Sequence, residues 1–497
     1  MGDPQVTIVV VPRERFSYTE RSLQSIYDHT TFPFRLVYVS AGAPSRVKQF
    51  LVFESAQKNF QLVSTDYCLA PNEARNLGLR KVKTKYVVFM DNDALVTPGW
   101  LEALVRCAEE TDAWVVGPLY LIGEIEIANI EHAFIHMAGG AAHIEEEQGR
   151  RILYDEHLLA DLPLADRSQI KRGPRDYVEF HCMLVRTDVF ERLGPLDEQL
   201  LSVNEHMDFC FEVRKAGGSV YMEPEALTSY VPPPRACDWR DLPFFMLRWS
   251  DAWNQASANH FDQKHGFSGV RHFGDRSSLE EDTIVKFGRG QRRLMTGMRI
   301  PTHDMGDKPE SPIEEAELMV ALFQSVDRNT FDLTQATAQR VVEHTPGMDP
   351  RVLMERMSTI LKEAEEQGCN VMIRPHGQGR PNEPVLLRVD NLDGGGLAKL
   401  QPYAFLTLET GVHVYQCWFA VVVGPARGAL RKLSPAARMS GAKGDALLAG
   451  SKLFGQQQVA NTNVRVRLVS GEMGLVNGLG QLESKGLLPY LWSGQIC

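Results

Sequence analysis

Between residues 85 and 93 the chain reads Lys85-Tyr86-Val87-Val88-Phe89-Met90-Asp91-Asn92-Asp93. The apolar run from Tyr86 to Met90 predicts a strand that is buried on both faces, which is typical of a parallel sheet. Ligands of open α/β sheets bind beyond the carboxyl ends of the strands, and carboxylate oxygens are ligands for Mg²⁺ and Mn²⁺. Asp91 and Asp93 therefore predict a divalent metal site at a sheet edge. The alternative is an acidic turn that binds nothing.

Predicted strands and helices alternate around this stretch. Strands are predicted at 6–11, 34–40 and 61–64, and helices begin near Ser22, Ser45 and Pro71. After the acidic residues, Thr97 is the expected N-cap and Pro98 the expected first residue of a helix that buries Leu101, Leu104, Val105 and Ala108. This alternation predicts an α/β fold with a doubly wound, mainly parallel sheet.

The composition is that of an ordinary globular protein. The 497 residues are 43% hydrophobic and 23% charged, enough for two or three domains. No apolar run reaches the length of a membrane span, and a strand is predicted within five residues of the start, which leaves no room for a signal peptide. The eight cysteines form no C-x-x-C pair, which argues against a disulfide framework or a zinc site. We expect a cytoplasmic protein without a membrane partner.

Charge is distributed unevenly along the chain. The net charge is −10, yet residues 371–497 hold 13 Lys and Arg against 7 Asp and Glu, and the remainder holds 40 against 56. A basic C-terminal region joined to an acidic N-terminal region indicates that the C-terminal region binds a polyanion.

Four motifs in order make residues of about 5–265 resemble the nucleotide-sugar half of a family 2 glycosyltransferase. They are A-R-N-x-G at 74–78, the D-N-D stretch, the strand at 177–186 with Arg186, Phe190, Gly194 and Asp197, and the acidic segment at 204–218. The resemblance implies a GT-A fold and an inverting transfer from a nucleoside-diphosphate sugar. It also implies that Asp91 and Asp93 bind Mn²⁺ or Mg²⁺, which stabilises the leaving pyrophosphate.

The resemblance further implies donor-binding and catalytic residues. The donor contacts carried over are Pro12, Arg13, Glu14, Asp66, Arg75, Asp91 and Asn92. The family usually places its base at the second position of E-D-x-D, which is His206 here. Imidazole serves as a base near neutral pH, so His206 is the first candidate, with Glu205 and Asp208 as alternatives.

Two departures from the family pattern bear on the site. Pro12-Arg13-Glu14 replaces the T-Y-N-like turn that usually touches the nucleoside. The family often has a late metal-binding histidine, but this chain has Ser229-Tyr230-Val231-Pro232-Pro233-Pro234 there. His181 and His260 are conceivable substitutes.

The second half begins with a region that lacks sustained periodicity. Residues 268–310 are expected to form a linker or wrapping arm. Capped helices are predicted after Ser311 and Asp349, and the second is expected to bury Val352, Leu353, Met357, Ile360 and Leu361 and to stop at Gly368. Strands are predicted at 370–374, 384–389, 405–409 and 415–423.

Residues of about 315–470 resemble the RepB-type primase domain, with an RRM-like α/β core. The motifs are Arg374-Pro375, Asp390-Asn391-Leu392, Glu409-Thr410-Gly411 and Tyr415-Gln416-Cys417-Trp418. Asn391 stands where a primase has its second metal-binding Asp, which implies a fold that holds nucleic acid without polymerising it. The candidate nucleic-acid contacts are Arg374, Arg388, Arg431, Lys432 and Lys452. The alternative is an unrelated α/β domain used for folding or dimerisation.

These observations predict three regions: a glycosyltransferase domain at 1–267, a linker at 268–310 and a primase-like domain at 311–497. The favoured function is a metal-dependent transfer of sugar to a hydroxymethylated pyrimidine, such as 5-hydroxymethylcytosine, in DNA. Such hypermodification is mainly viral, which would place the protein in a host cytoplasm. The alternatives are a transferase for a glycan, lipid or protein acceptor and a non-catalytic nucleic-acid-binding protein. The sequence leaves the sugar, the nucleotide and the oligomeric state open.

Overall fold

The computed structural model describes most of the chain in two compact units. The described residues are 4–165, 170–232, 238–272, 283–300, 308–377, 383–422, 445–454, 464–487 and 495–496. The first unit comprises residues 1–234 and 248–290, and the second comprises 235–247 and 291–497. The three regions predicted from the sequence stay a prediction.

The first unit alternates strands and helices through its first hundred residues. Its first elements are β1 (Val6–Val11), α1 (Thr19–His29), β2 (Phe34–Ala41), α2 (Ser45–Lys58), β3 (Gln61–Thr65), α3 (Pro71–Leu79), β4 (Tyr86–Asp91), β5 (Ala94–Val96), α4 (Trp100–Thr111) and β6 (Val115–Ile122). They are followed by β7 (Phe134–Met137), β8 (Gly140–Glu147), β9 (Arg150–His157), β10 (Gly173–Pro174), β11 (Cys182–Arg186), α5 (Val189–Leu193), α6 (Glu205–Lys215), β12 (Val220–Tyr230), α8 (Asp251–His265), β13 (Val270–His272) and α9 (Thr283–Leu294), whose last four residues belong to the second unit. Helix α7 (Leu242–Arg248), between β12 and α8 in the chain, belongs to the second unit except for Arg248.

A ten-stranded mixed sheet forms the centre of the first unit. Its main path is β10-β12-β6-β11-β4-β1-β2-β3, with β5 paired to β12 and β7 paired to β6. Strands β3, β2, β1 and β4 run parallel, as predicted. All six residues of β4 are buried, which confirms the expectation of a strand covered on both faces.

Strand β11 departs from the parallel arrangement. It runs antiparallel to both neighbours, β4 and β6. Consequently the amino end of β11 lies at the same sheet edge as the carboxyl end of β4, with Cys182 opposite Met90. The residues just before β11 therefore lie beside Asp91.

The predicted cap of α4 is wrong. The helix begins at Trp100, and its N-cap is Gly99, whose φ of 81° lies in the left-handed region that glycine tolerates. The Thr97 hydroxyl instead donates a hydrogen bond to the Leu227 carbonyl, 3.2 Å away. The Thr97 side chain, which the local sequence predicts as the helix N-cap, thus makes a tertiary hydrogen bond instead. The burial predicted for Leu101, Leu104, Val105 and Ala108 is confirmed.

A small second sheet completes the first unit. Strands β8 and β9 pair antiparallel through eight residue pairs, and β13 adds to β9 in parallel. His157 ends β9, opposite Gly140.

The second unit contains two further sheets. Its elements are β14 (Arg299–Ile300), α10 (Pro312–Ser325), β15 (Thr330–Ala336), β16 (Val341–Met348), α11 (Pro350–Gln367), β17 (Asn370–His376), β18 (Val385–Leu392), α12 (Gly394–Leu400), β19 (Leu406–Gly411), β20 (Val414–Val422), β21 (Ala446–Leu447), β22 (Arg467–Glu472), β23 (Val476–Gly478), α13 (Leu479–Ser484) and β24 (Gln495–Ile496). The larger sheet has the order β14-β22-β19-β20-β18-β24, with β23 on β20, and the smaller has β16-β15-β17-β21.

The two helix starts predicted for this half are confirmed. The Ser311 hydroxyl accepts the Glu314 N–H, the Asp349 carboxylate accepts the Arg351 N–H, and Gly368 is the C-cap that stops α11. One buried position is wrong, because the Val352 side chain is 43% exposed. Sequence analysis also missed the hairpin of β15 and β16, and α9 and β14 lie within the expected linker.

Candidate active site

The loop after β1 meets the acidic end of β4 because the two strands are parallel neighbours. Val11 lies opposite Asp91 in the register. The Asn92 amide fixes this loop: its oxygen accepts the Arg13 N–H at 2.9 Å, and its nitrogen donates to the Arg15 carbonyl at 3.2 Å. Asn92 is therefore a positioning residue that sets where the Arg13 side chain begins.

Asp91 lies at the centre of a buried charge cluster. Its carboxylate accepts hydrogen bonds from Arg75 Nη2 at 3.1 Å and from His181 Nδ1 at 2.9 Å, and Arg13 Nε lies 3.6 Å away. Burial would raise the pKa of Asp91, but the His181 hydrogen bond and the two arginine charges outweigh it, so this pKa is lowered. Asp91 is therefore an ionised carboxylate.

Asp93 has the opposite environment. Its side chain is fully buried, and neither carboxylate oxygen has a hydrogen-bond partner among the described residues. Burial, together with the negative charges of Asp91 and Glu14, raises the pKa of Asp93 well above its ordinary value. An unpartnered buried carboxylate is costly unless a cation or proton satisfies it. Asp91, Asp93 and His181 have ligand atoms within 4.8 Å of one another, so the donor set fits a divalent cation.

His181 occupies the sheet edge because β11 is antiparallel. The Asp91 backbone N–H donates to the His181 carbonyl at 3.3 Å, so the two residues are neighbours across the strands. The Tyr230 ring stacks on the His181 imidazole, with centroids 4.0 Å apart. The stretch that lacks the family's late histidine therefore contributes Tyr230. His260, the other conceivable substitute, instead bonds Asp197 at 2.9 Å.

A second buried carboxylate follows Arg13. Glu14 lies 3.3 Å from Arg248 Nε and accepts a hydrogen bond from the Tyr230 hydroxyl at 3.3 Å. Burial raises the pKa of Glu14 despite the opposing charges of Arg13 and His181. Glu14 therefore belongs to the same cluster as Asp91 and Asp93.

The three candidate bases on α6 have different surroundings. Glu205 contacts Arg13 Nη1 at 3.1 Å and Arg75 Nη1 at 3.7 Å. Asp208 turns away to Lys264, at 2.8 Å, and His265, at 2.7 Å. The His206 ring packs against Tyr177, with centroids 5.5 Å apart, and has no hydrogen bond within the described part of the chain.

Burial lowers the pKa of His206 by more than the negative charges of Glu179 and Glu205 raise it. The ring is therefore largely neutral at pH 7. Glu205 and Asp208 are carboxylates that already pair with cations. His206 is the one candidate of the three on α6 whose proton-accepting atom has no such partner in the described structure.

The remaining predicted site residues lie apart from this cluster or adjoin it without a polar contact. Pro12 is buried between β1 and Arg13, whereas Asp66, directly after β3, has an 82% exposed side chain that pairs with Lys48 at 3.1 Å. In the second unit, Arg374 pairs with Asp445 at 2.8 Å, Arg388 with Asp390 at 2.9 Å, and Lys452 with Glu365. Arg431 and Lys432 lie outside the described residues.

Sequence reasoning missed three residues that adjoin the site. Glu179 accepts a hydrogen bond from His136 Nε2 at 2.9 Å, and His157 Nε2 lies 3.8 Å from the same carboxylate. Burial would raise the pKa of Glu179, but the surrounding histidines hold it well below its ordinary value. The only local signal was the sequence Glu179-Phe180-His181, which places an acid and an imidazole two residues apart.

A parallel sheet edge with a D-x-D turn and buried arginines fits an enzyme that acts on phosphate-bearing substrates. Residues 7–194 match the family model described as Glycosyl transferase family 2, so this part of the chain is a glycosyltransferase domain of that family.

Similar proteins include the "Pre-mycofactocin glycosyltransferase" of two Mycobacterium tuberculosis strains, which is 25% identical over 237 residues. That match covers 47% of this chain and 44% of the relative, so the chain spans less than half the length of these relatives. The "O-antigen biosynthesis protein RfbC" of Myxococcus xanthus is 24% identical over 40% of this chain and 15% of its own length.

Two solved structures also resemble the chain. One is GalNAc-T7 with UDP, GalNAc and Mn²⁺, at 14% identity and a TM-score of 0.37 over 58% of this chain and 55% of that one. The other is S. aureus TarS 1-349 in complex with UDP, at 13% identity and a TM-score of 0.33 over 65% and 82% of the two chains. None of the helices in the described ranges is long and apolar enough to cross a membrane.

Proposed function

We propose that this protein transfers a sugar from a nucleoside-diphosphate sugar to a hydroxyl acceptor, with Mn²⁺ or Mg²⁺ held by Asp91 and Asp93. The observation that carries the proposal is the fully buried Asp93 carboxylate, which has no hydrogen-bond partner in the described structure. It lies two residues from an ionised Asp91, within the family 2 domain. When bound, the cation supplies Lewis-acid stabilisation of the pyrophosphate leaving group.

The arginines beside these carboxylates have separate tasks. Arg75 is fully buried and bridges Asp91 and Glu205, so it holds both carboxylates in place. Arg13 is 17% exposed and reaches the same two acids from the loop after β1. Because Arg13 retains exposed surface, we assign it to the donor phosphates and Arg75 to positioning.

His206 is the proposed general base. As the acceptor oxygen forms its bond to the anomeric carbon, its proton passes to a ring nitrogen of His206. The bond between the anomeric carbon and the phosphate oxygen breaks, and the nucleoside diphosphate leaves with that electron pair. A single displacement of this kind inverts the anomeric configuration. Glu205 and Asp208 are weaker candidates because cations already hold their carboxylates.

The acceptor is a separate proposal. A hydroxymethylated pyrimidine in DNA is supported by the basic balance of residues 371–497 and by the primase-like motifs of the second half. Against it stand the carboxylate partners of Arg374, Arg388 and Lys452, which compete with phosphate for these cations. A glycan, lipid or protein acceptor is the alternative, and one assay with hydroxymethylated DNA, unmodified DNA and glycans would separate them.

The metal assignment is tested with Asp93→Asn in the full chain. We expect donor hydrolysis and sugar transfer to fall by more than roughly 10²–10³-fold, because the charge that develops on pyrophosphate is left uncompensated. Nucleotide release from a panel of sugar nucleotides, with Mn²⁺ and with chelator, measures this loss. Without metal, the variant should unfold at the same or a higher denaturant concentration, because a neutral amide replaces an unpartnered carboxyl.

The matched control is Asp28→Asn on α1, an exposed carboxylate that bonds Gln24 at 2.7 Å. This control should keep the wild-type rate and metal dependence. Wild-type turnover in excess chelator would refute the metal assignment.

A further inference from the structure

Three histidine side chains converge on the Glu179 carboxylate from separate elements. His136 lies on β7, His157 ends β9, and His181 directly precedes β11. Their Nε2 atoms lie 2.9 Å, 3.8 Å and 3.6 Å, respectively, from a Glu179 oxygen. The ligand atoms of His136, Glu179 and His181 are mutually within 4.8 Å.

The imidazole rings of this cluster also contact one another. The His136 ring meets the His157 ring edge to face, with centroids 5.1 Å apart, and meets the His181 ring at 5.8 Å. The three imidazoles are therefore packed together around one carboxylate.

The distances are those expected of side chains that can share one metal ion. Only the 2.9 Å contact of His136 is a hydrogen bond, since 3.6 and 3.8 Å are too long. In a tetrahedral zinc site, with bonds of about 2.0–2.1 Å, neighbouring ligand atoms are separated by about 3.3 Å. The His136 and His181 separations, both to Glu179 Oε2, bracket that value, and His157 approaches the other oxygen, Oε1.

The hydrogen bond of His181 to Asp91 fixes which ring nitrogen is left to face Glu179. An ionised Asp91 can only accept, so Nδ1 of His181 carries the proton in the 2.9 Å bond. The Nε2 atom of His181 lies on the Glu179 side of the ring, 3.6 Å from that carboxylate. A carboxylate on the far nitrogen is also the usual support of a metal-binding histidine.

We propose that His136, His157, His181 and Glu179 form a second metal site, which takes Zn²⁺ or another late first-row divalent ion. Three imidazoles and one carboxylate favour this class of metal, whereas the carboxylates Asp91 and Asp93 suit Mg²⁺ and Mn²⁺. His157 belongs to the small sheet of the first unit and His136 to the large one. The ion would therefore cross-link the two sheets and hold His181 against Asp91. The expectation of no zinc site came from cysteine spacing, which cannot detect a histidine site.

The test counts zinc in the full-length protein, without any sugar donor. Protein stripped with chelator is titrated with Zn²⁺, desalted and analysed for metal content, and its thermal unfolding is followed. We expect one tightly bound Zn²⁺ per chain and a higher unfolding temperature with zinc, since ligand binding to the folded state stabilises it. Co²⁺ substitution should give the visible absorption of a four-coordinate site.

Variants then locate the ion. His136→Ala, His157→Ala and Glu179→Gln should each weaken Zn²⁺ binding by more than roughly 100-fold, since loss of a direct ligand exceeds the loss seen for supporting groups. His143→Ala on neighbouring β8, whose ring pairs with Glu156 at 2.8 Å, is the matched control and should keep the zinc. Asp93→Asn should also keep it.

Some outcomes would overturn the site. Unchanged zinc affinity in His136→Ala and Glu179→Gln would do so, and so would a wild-type protein that binds no Zn²⁺ and shows no Co²⁺ absorption. The wild-type measurements stand even where a variant fails to fold. Because zinc is counted without turnover, failure of this site and failure of the proposed transferase activity are distinguishable.

Discussion

At the scale of single residues, the site is defined by which charges have partners. Asp91, Glu205 and Asp208 each face a cation, whereas both oxygens of Asp93 lack a hydrogen bond in the described structure and the His206 ring has none. Buried polar groups without partners are uncommon and mark places where a ligand completes the structure. We therefore interpret the Asp93 carboxylate as a metal ligand and the His206 ring as the group that contacts the acceptor.

Mutating His206 tests the base. His206→Ala should lower kcat by roughly 10²–10⁴-fold, the usual contribution of a general base, with little change in donor binding. Steady-state kinetics with the donor varied measures both quantities. The matched control is His132→Ala, whose side chain is 79% exposed. A large loss in Glu205→Gln or Asp208→Asn instead would assign the base to that residue.

The pH profile provides a second test of His206. Burial lowers the pKa of His206, so the neutral, proton-accepting ring persists below the ordinary value of about 6.5. We therefore expect kcat to fall only as pH drops below 6.5, and to be flat from there to pH 8. The acid limb should vanish in His206→Ala. An acid limb centred above 6.5 that survives in this variant would contradict the assignment.

At the scale of elements, α3 connects the packing of the sheet to the site. Gly78 lies against β1, where an added Cβ would come within 2.3 Å of Val9 Cγ1 and 3.2 Å of Val39 Cγ2. The same helix carries Arg75, which bonds Asp91. The glycine of the A-R-N-x-G motif therefore allows the close approach that brings the arginine to the carboxylate.

Gly78→Ala should displace α3 or strain β1. Overpacking of this kind costs about 1–3 kcal/mol, and the shift of Arg75 should raise KM for the donor. Denaturant unfolding measures the stability and initial rates measure KM. Gly290→Ala in α9, where an added Cβ meets nothing within 4 Å, is the control and should stabilise by up to about 1 kcal/mol. Wild-type stability in Gly78→Ala would show that α3 does not depend on this contact.

At the scale of the whole molecule, the question is whether the basic C-terminal region binds a polyanion. Of the five cations predicted to contact nucleic acid, three have carboxylate partners: Arg374, Arg388 and Lys452. Charge reversal at these positions would disrupt internal ion pairs and would confuse stability with binding. Arg431 and Lys432 are adjacent in the sequence and are the remaining two predicted contacts.

If the acceptor is DNA, Arg431→Glu with Lys432→Glu should weaken DNA binding by the full chain. The slope of log affinity against log salt should fall by up to about 2, because each lost phosphate contact removes about one released counterion. Fluorescence anisotropy at several salt concentrations measures the slope, and donor hydrolysis should be unchanged. The control pair Arg80→Glu with Lys81→Glu reverses two adjacent, exposed cations of the first unit. Equal effects of the two pairs, or no DNA binding by wild type, would favour a glycan, lipid or protein acceptor.

The sequence by itself predicted the early elements of the first unit and the two carboxylates that we propose hold the metal. Strand β4 and the start of α3 follow from local periodicity and capping, and Asp91 and Asp93 follow from their place after a buried strand. Such features depend on residues a few positions apart. The local pattern gave a wrong prediction where the partner is distant in sequence. Thr97 bonds Leu227, 130 residues away, and Gly99 is the N-cap of α4.

Only the tertiary structure decided which side chains share the site. The antiparallel direction of β11 placed His181 at Asp91. The pairing of β7 with β6 and of β9 with β8 brought His136 and His157 to Glu179. Helix α8 carries Lys264 and His265, which contact the Asp208 carboxylate and make it a weaker candidate base. These partners are tens of residues apart along the chain, and sequence patterns of period 2 or 3.6 say nothing about separations of that length. Strand order and direction, set by packing of the whole sheet, determine the chemistry.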